Sequence, residues 1–324
     1  MSSLGASVAS RRPLAGRRLV VGDAALQALA GAAALAACVL VGLITYRVTS
    51  GAWPAMSKFG FGFLGKIAWD PVRNVYGAGS FLFGTALTSL LALALATPLA
   101  LGIALYLTEL APRWLRGPVT ALVEMLAAVP SVVVGLWGIL VLGPQLNRHI
   151  EPWLHSALGW IPLFGNPSQS PASLFTAVVV LTIMILPIVS SISRELLLGV
   201  PRELKEGALA LGLTRWEMIR GVAFPYARGG IAAAMILGLG RAVGEAIAVT
   251  QVIGGGVSIN WNLFNTGDTL ASKIAASFQG ATSGIQVDSL FYLAVILLVF
   301  SLIANLTAQW IVRRVARRQA GAAK

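Results

Sequence analysis

Charge is scarce in this 324-residue chain. Lys, Arg, Asp and Glu make up 11% of it, against a hydrophobic share of 57%. A soluble domain carries roughly 25% charge, so too few polar side chains are present to coat a water-facing globule of this length. The apolar surface must therefore face lipid. Cysteine is nearly absent, and the single thiol, Cys38, excludes an internal disulfide. With only His149 and His155 as histidines, the chain also has no convincing metal cage. Cys38 reads as a small packing residue in an apolar run. Acidic residues are few as well: 12 against 24 Lys and Arg, for a net charge of +12. In a soluble chain that excess would point to nucleic acid. Here the basic residues fall in blocks between long apolar runs, which marks them as topology signals and excludes a nucleic-acid partner.

Crossing the bilayer core takes about 20 apolar residues in a helix, and six runs qualify: Ala24–Tyr46, Ser80–Leu107, Gly117–Leu142, Ala172–Ser193, Gly229–Ile253 and Leu290–Val312. Only helices or closed barrels satisfy the backbone in lipid, and these runs are too long and continuous for barrel strands. The expected fold class is an all-α integral membrane protein with six transmembrane helices. The first run follows Arg11, Arg12, Arg17 and Arg18. It exceeds the roughly 7–15 apolar residues of a secretory signal core, and no small-x-small cleavage site leads into a soluble domain, so it reads as a retained helix.

Orientation follows from the loop Lys and Arg residues. With the N-terminus inside, the inner segments hold four in the N-terminal stretch, two at Arg113 and Arg116, six from Arg194 to Arg228 and five from Arg313 to Lys324. The outer segments hold only Arg47, Lys58, Lys66, Arg73, Arg148 and Lys273, and Arg241 lies within a span. Both termini are expected to be cytoplasmic. The chain then divides into a tail (1–23), a first span (24–46), an outer loop (47–79), a core (80–312) with an inner loop at 194–228, and a second tail (313–324). Trp53, Trp69, Trp153 and Trp160 suit the outer interface, and Trp114 and Trp310 the inner one. The Pro- and Gly-rich second outer loop reads as an irregular cap.

The inner loop 194–228 is too polar to span and long for a connector. Pro201 can open a helix at its first turn. Glu203–Leu211 then reads as a short helix with Leu204, Ala208 and Leu211 on one face, and Gly212 is a suitable stop. Thr214 and Glu217 have capping-box spacing, and a second helix is expected to run until Pro225. The product is a helix–turn–helix elbow, which a generic membrane protein would lay on the bilayer surface. Its residues resemble something more specific. Glu206-Gly207-Ala208, then Gly212, then Val222-Ala223-Phe224-Pro225 match every spacing of the "EAA" signature of ABC importer permeases, departing from it at Gly207, Val222 and Phe224. The resemblance implies that the short helix docks into a groove on an ATPase subunit, with Glu206, Gly207, Ala208, Gly212 and Pro225 carrying the contact and its geometry.

No nucleotide site of its own is legible. Gly60–Lys66 has the outline of a P-loop but is followed by Ile67, where Ser or Thr should ligate magnesium, and it falls in an outer loop. Gly238-Leu239-Gly240 sits inside a span, where small residues permit close helix packing. No nucleophile–base arrangement stands out. Hydrolysis must come from a partner, and the chain itself is expected to be a non-enzyme without cofactors.

Three ionisable residues fall inside spans: Glu124, Arg241 and Glu245. Burying a charge there costs roughly 2.5–3.5 kcal/mol even on insertion scales. Arg241 and Glu245 are four apart and share a helix face. Two roles fit: a structural ion pair, or a gated anion site in which the guanidinium grips an oxyanion and Glu245 compensates it when the pore is empty.

A second resemblance sharpens the choice. Tyr76-Gly77-Ala78, Gly84-Thr85, Tyr106–Pro112, Glu124 with Pro130-Ser131, Gly135-x-Trp137-Gly138, Gly240–Glu245 and Thr269–Ser272 with Ile274, Ala275 and Phe278 are similar to the permease family of phosphate importers. The similarity covers roughly Tyr76 to the C-terminus. It implies a type I ABC importer permease fold and a phosphate pathway through Arg241 and Glu245, with Glu124 and Ser131 as further candidates. It also implies a second, similar permease, two copies of a cytoplasmic ATPase, an external phosphate-binding protein and residence in the bacterial inner membrane. The rival readings are a permease for sulfate or molybdate, an ion-driven secondary transporter and a non-transporting membrane scaffold.

Overall fold

The computed structural model describes residues 17–322. The chain forms two compact units, residues 1–50 and 51–324. The described part of the first unit is all helix, within α1 (Arg17–Phe59). Its exposed side chains include Leu26, Leu29, Leu40 and Ile44, as a lipid-facing helix requires. The N-terminal tail expected at 1–23 lies outside the described residues up to position 16.

In the second unit α1 continues through the stretch expected as loop and stops at Gly60, whose φ of +54° ends the helix. A short α2 (Gly62–Gly65) and a hairpin of β1 (Trp69–Asp70) and β2 (Val75–Tyr76) follow. The turn is set by its own residues: Asp70 Oδ1 accepts from the amides of Val72 and Arg73 at 2.9 and 3.1 Å, and Asn74 takes the left-handed conformation. Trp69, Tyr76, Phe63, Phe81 and Tyr292 close over this end as an aromatic cluster, with Phe63 stacked on Tyr292 at 4.5 Å.

The centre of the bundle is α3 (Gly79–Leu105) against α8 (Leu174–Leu198), which Ser173 caps by accepting from the Thr176 amide. On α3 the fully buried Ala92, Ala96, Ala100 and Ala104 recur every fourth residue. Such a ladder of small side chains lets backbones approach closely in lipid. On α8 the facing stripe is Val178, Leu181, Ile185 and Val189. Three hydroxyls on α3 are satisfied within the helix: Thr85, Thr88 and Ser89 each donate to the carbonyl four residues back.

Between these helices lie α4 (Arg113–Ala128) and α5 (Ser131–Trp137). The latter continues through α6 (Gly143–Gln145) to α7 (Glu151–Leu158). After α8 come α9 (Arg202–Ala210), α10 (Arg215–Met218), α11 (Phe224–Gly244), α12 (Ile247–Val252), α13 (Leu270–Ser277) and α14 (Gly284–Ala322). Five helical stretches are long and apolar enough to cross a membrane, and the bent pair Arg113–Ala128 plus Ser131–Leu158 makes six.

Two further spans differ from the sequence expectation. The third is not continuous: Val129 and Pro130 are extended, and the chain bends by 95° there. Pro130 removes an amide and clashes with the preceding turn, so the helix ends before it. The fifth breaks at Glu245, whose ψ of 114° takes it out of the helix, well before Ile253. At its other end it starts at Arg215 rather than beyond Pro225. Pro225 is accommodated by a π turn over Ile219–Ala223, in which the Phe224 amide donates to the Ile219 carbonyl. The same device recurs before Pro112, Pro144 and Pro152, where the preceding amides donate five residues back to Tyr106, Gly138 and Leu146. A proline ring crowds the carbonyl four residues upstream, and the wider turn makes room for it. The second outer loop is correspondingly helical up to Leu158 and irregular only after it.

Candidate functional site

The two helix breaks lie together. α12 packs on α5 through small residues: a Cβ on Gly135 would sit 2.8 Å from the Ala248 Cα, and one on Gly138 would sit 2.8 Å from Val252. The backbone approach brings the Glu245–Ala246 break beside the Val129–Pro130 break. Arg241, one turn before the end of α11, lines a gap of about 10 Å³ with Leu126, Ala127, Val129, Val134, Ile183 and Met184. That volume holds about one water.

Glu245 serves two groups from this position. Its Oε1 accepts from the Ala248 amide at 3.3 Å, capping the first turn of α12, and its Oε2 stands 4.0 Å from Arg241 Nη2. The carboxylate is 10% exposed and the guanidinium 42%. At 4.0 Å the pair attracts without a hydrogen bond. Among the described residues no acceptor lies within hydrogen-bonding distance of Arg241, so its planar set of donors stays open to an oxyanion.

Ser131 is the first residue of α5, half-buried at the same break. Glu124 is not part of this group. It lies exposed on α4, where it lines a separate narrow cleft with Thr120, Ser190, Ser191 and Arg194. The structure thus gathers Arg241, Glu245 and the Ser131 end of α5, and leaves Glu124 near the Ser190–Arg194 part of α8.

The elbow expected at 194–228 is built from α9, α10 and the start of α11. Pro201 is the N-cap of α9, and Gly212 takes a φ of +87° that ends it. Both arms of the capping box form: Glu217 N–H donates to Thr214 Oγ1, and Thr214 N–H donates to Glu217 Oε2. Ala208 is buried beside Leu197, Val200, Met218, Ile219 and Ala223. Leu204 and Leu211 are exposed, so the face expected to hold all three is split. Glu206, Gly207, Gly212 and Pro225 are exposed too. Leu204, Leu209, Leu211 and Trp216 give the elbow an open apolar surface of the kind a protein partner covers.

Sequence reasoning missed two polar groups. Lys205 Nζ binds Glu109 Oε1 at 2.6 Å and the Leu197 carbonyl at 3.1 Å. In the outer loop, Asp268 lies 3.7 Å from Lys273 Nζ and accepts from Ser272 Oγ and the Gly256 amide. Lys273 in turn stands over the rings of Trp69 and Phe81 at 5.6 and 5.5 Å. The Tyr106–Pro112 and Thr269–Ser272 stretches stood out in the sequence, yet Glu109 and Lys205 are 96 residues apart, and nothing in the sequence marked Asp268 and Lys273 as a buried pair.

Residues 96–320 match the family model described as "Binding-protein-dependent transport system inner membrane component". A Mesorhizobium japonicum protein named "Phosphate transport system permease protein PstC" is 40% identical over 316 residues, 96% of this chain and 96% of that protein. A Haemophilus influenzae protein of the same name is 41% identical, covering 83% of this chain and 86% of its own length. The "PstC 2" protein of Mycobacterium tuberculosis is 43% identical over 74% of this chain and 75% of its own length. Among solved structures, a chain of a bacterial alginate ABC transporter superposes with a TM-score of 0.61 at 17% identity, covering 91% of this chain and 97% of that one. A chain of the inward-facing MetNI methionine ABC transporter gives 0.53 at 19% identity, over 72% and 94%. The fold is that of a type I ABC importer permease.

Proposed function

This chain belongs to the family of inner membrane components of binding-protein-dependent transport systems, and from that premise we propose that it forms half of the pathway of an ATP-driven importer of inorganic phosphate. Phosphate is the cargo named in its 40%-identical relatives. As a multi-pass permease it works with an ATPase, an external binding protein and a second permease. We assign two ATPase copies and a phosphate-specific binding protein, with the second permease a similar but distinct chain. Both termini and the elbow face the cytoplasm, in keeping with the Lys and Arg bias.

The observation that carries the reading is Arg241: a half-exposed guanidinium with free donors, inside a span, where two broken helices meet. A tetrahedral oxyanion can accept two parallel N–H bonds from it. Glu245 balances the charge when no anion is present and holds α12 in place. The present gap is far smaller than a phosphate. Passage therefore requires the α4–α5 and α11–α12 corners to part, with the partner permease completing the wall on the open side of Arg241. Ser131 offers a hydroxyl at the same corner. Glu124, with Arg194 and three hydroxyl groups, lines the way toward the cytoplasm. The driving motion enters through Glu206, Gly207, Ala208, Gly212 and Pro225 when the ATPases close on ATP.

Labelled phosphate uptake in cells carrying Arg241→Gln tests this. Losing a charged hydrogen-bond donor pair costs about 1.5–3 kcal/mol, roughly a tenfold to hundredfold fall in uptake at limiting phosphate, with the protein still present in the membrane. Uptake at the wild-type level would remove Arg241 from the pathway. Sulfate or molybdate uptake lost in its place would favour the other oxyanions.

A further inference from the structure

We propose that Lys205 is the positioning residue through which the inner elbow grips the membrane bundle, with Glu109 as its partner. The inference rests on the importer reading above and names the link that reading leaves open. α9 is short, and its exposed side carries Glu206 and Gly207, so a docked ATPase holds it from outside. On the inner side, close contact is made by Ala208, a single methyl group, and by the Lys205 ammonium. That ammonium is 17% exposed and Glu109 is 13% exposed, so the 2.6 Å contact is screened little by solvent.

Its placement matters more than its strength. Glu109 sits in the π turn that finishes α3, and the Leu197 carbonyl, at 3.1 Å, belongs to the last turn of α8. One ammonium therefore joins the elbow to the inner ends of the two helices that pack most extensively on each other. α8 also supplies Ile183 and Met184 to the gap beside Arg241. A pull on α9 reaches α3 and α8 through this contact, and through α8 it reaches the wall of the anion site. The Leu197 carbonyl, which also accepts from the Val200 amide at 3.4 Å, lies at a helix C-terminus, where a cation is favoured.

The test uses the complete complex of this chain, its second permease, the ATPase and the binding protein in proteoliposomes, and reads phosphate moved per ATP hydrolysed. Lys205→Met and Glu109→Gln should each lower that ratio about fivefold or more, the size of a typical coupling energy, while ATP hydrolysis continues. The double variant should be no worse than the poorer single one, because the two groups act as one unit. Glu109 lies outside the ATPase-docking helix, so Glu109→Gln alone carries the test if Lys205→Met does not assemble. An unchanged ratio in Glu109→Gln, or losses that multiply in the double variant, would overturn the proposal. A wild-type complex that moves no phosphate at all would instead defeat the importer reading.

Discussion

Arg241 and Glu245 stand 4.0 Å apart, near but unbonded, which supports the pathway role proposed for them over a bracing one. A brace would close to a hydrogen-bonded salt bridge; at 4.0 Å the guanidinium stays free. Because Glu245 also caps α12 through the Ala248 amide, its variants should divide. Glu245→Gln keeps an acceptor oxygen and should preserve folding while changing transport. Glu245→Ala should in addition lose about 1 kcal/mol of stability, visible as a lower melting temperature than Glu245→Gln; equal melting of the two would mean that the cap is unimportant. Gly207 makes an opposite case. Nothing lies within 4 Å of where its Cβ would stand, so Gly207→Ala should stabilise α9 by about 0.5–1 kcal/mol and leave transport intact. A clear loss of transport would mean that the ATPase groove rejects a methyl group there.

Asp268 shows how a single buried carboxyl imprints a pH dependence on the outer loop. Burial pushes its pKa above the ordinary 3.8, and Lys273, the Gly256 amide and Ser272 pull it only part of the way back. A proton thus binds more tightly to Asp268 in the folded state. Its contribution to stability is complete below pH 3.8 and is lost as pH rises through the elevated native value. Melting of the detergent-solubilised protein between about pH 4 and pH 7 should show wild type losing stability relative to Asp268→Asn as pH increases. Parallel pH profiles would contradict the assignment. None of this was visible in the sequence, where Asp268 stands among Gly and Thr and its lysine was only a topology charge.

At the scale of elements, the apolar runs were legible because lipid demands them: a span must be long and apolar whatever it packs against. The elbow was legible for a different reason, since Pro201, Gly212 and the Thr214–Glu217 box are local devices whose chemistry is complete within a few residues. The breaks were only half legible. Pro130 announces its own, whereas the break at Glu245 and Ala246 is signalled only by Gly244, the last residue of α11, which weakens a helix without fixing where it stops. What ends α11 there is tertiary: α12 must turn to lie against α5. Pro225 misled in the other direction, because a π turn carried the helix through it. The α5–α12 contact is the element-level feature most open to test. Gly135→Ala would press a methyl group onto the Ala248 backbone and should cost on the order of 1–3 kcal/mol and impair transport. Gly102→Ala on α3, with open space around it, should do neither. If both variants behave alike in stability and uptake, the close approach of the two broken spans has no functional weight.

At the scale of the whole molecule, the proposed transport cycle joins two places along one mechanical path. The proposed anion site lies where two spans are interrupted, and the elbow proposed to take the ATPase's motion lies at the ends of α3 and α8 joined through Lys205. Low charge, six spans and the positive bias place the chain in a membrane; the family places it in an importer. The helices beside Arg241, and the contact that ties the elbow to them, came only from the fold, because Glu109 pairs with Lys205 and Arg241 shares a gap with Val129 across distant segments. The most direct measurement is labelled phosphate accumulation by the reconstituted four-protein complex, with ATP supplied only on the side that carries the α9 elbow. The account predicts accumulation against a gradient that stops without ATP and falls at least about tenfold in Arg241→Gln. Accumulation that persists without ATP, or that is indifferent to Arg241, would contradict it.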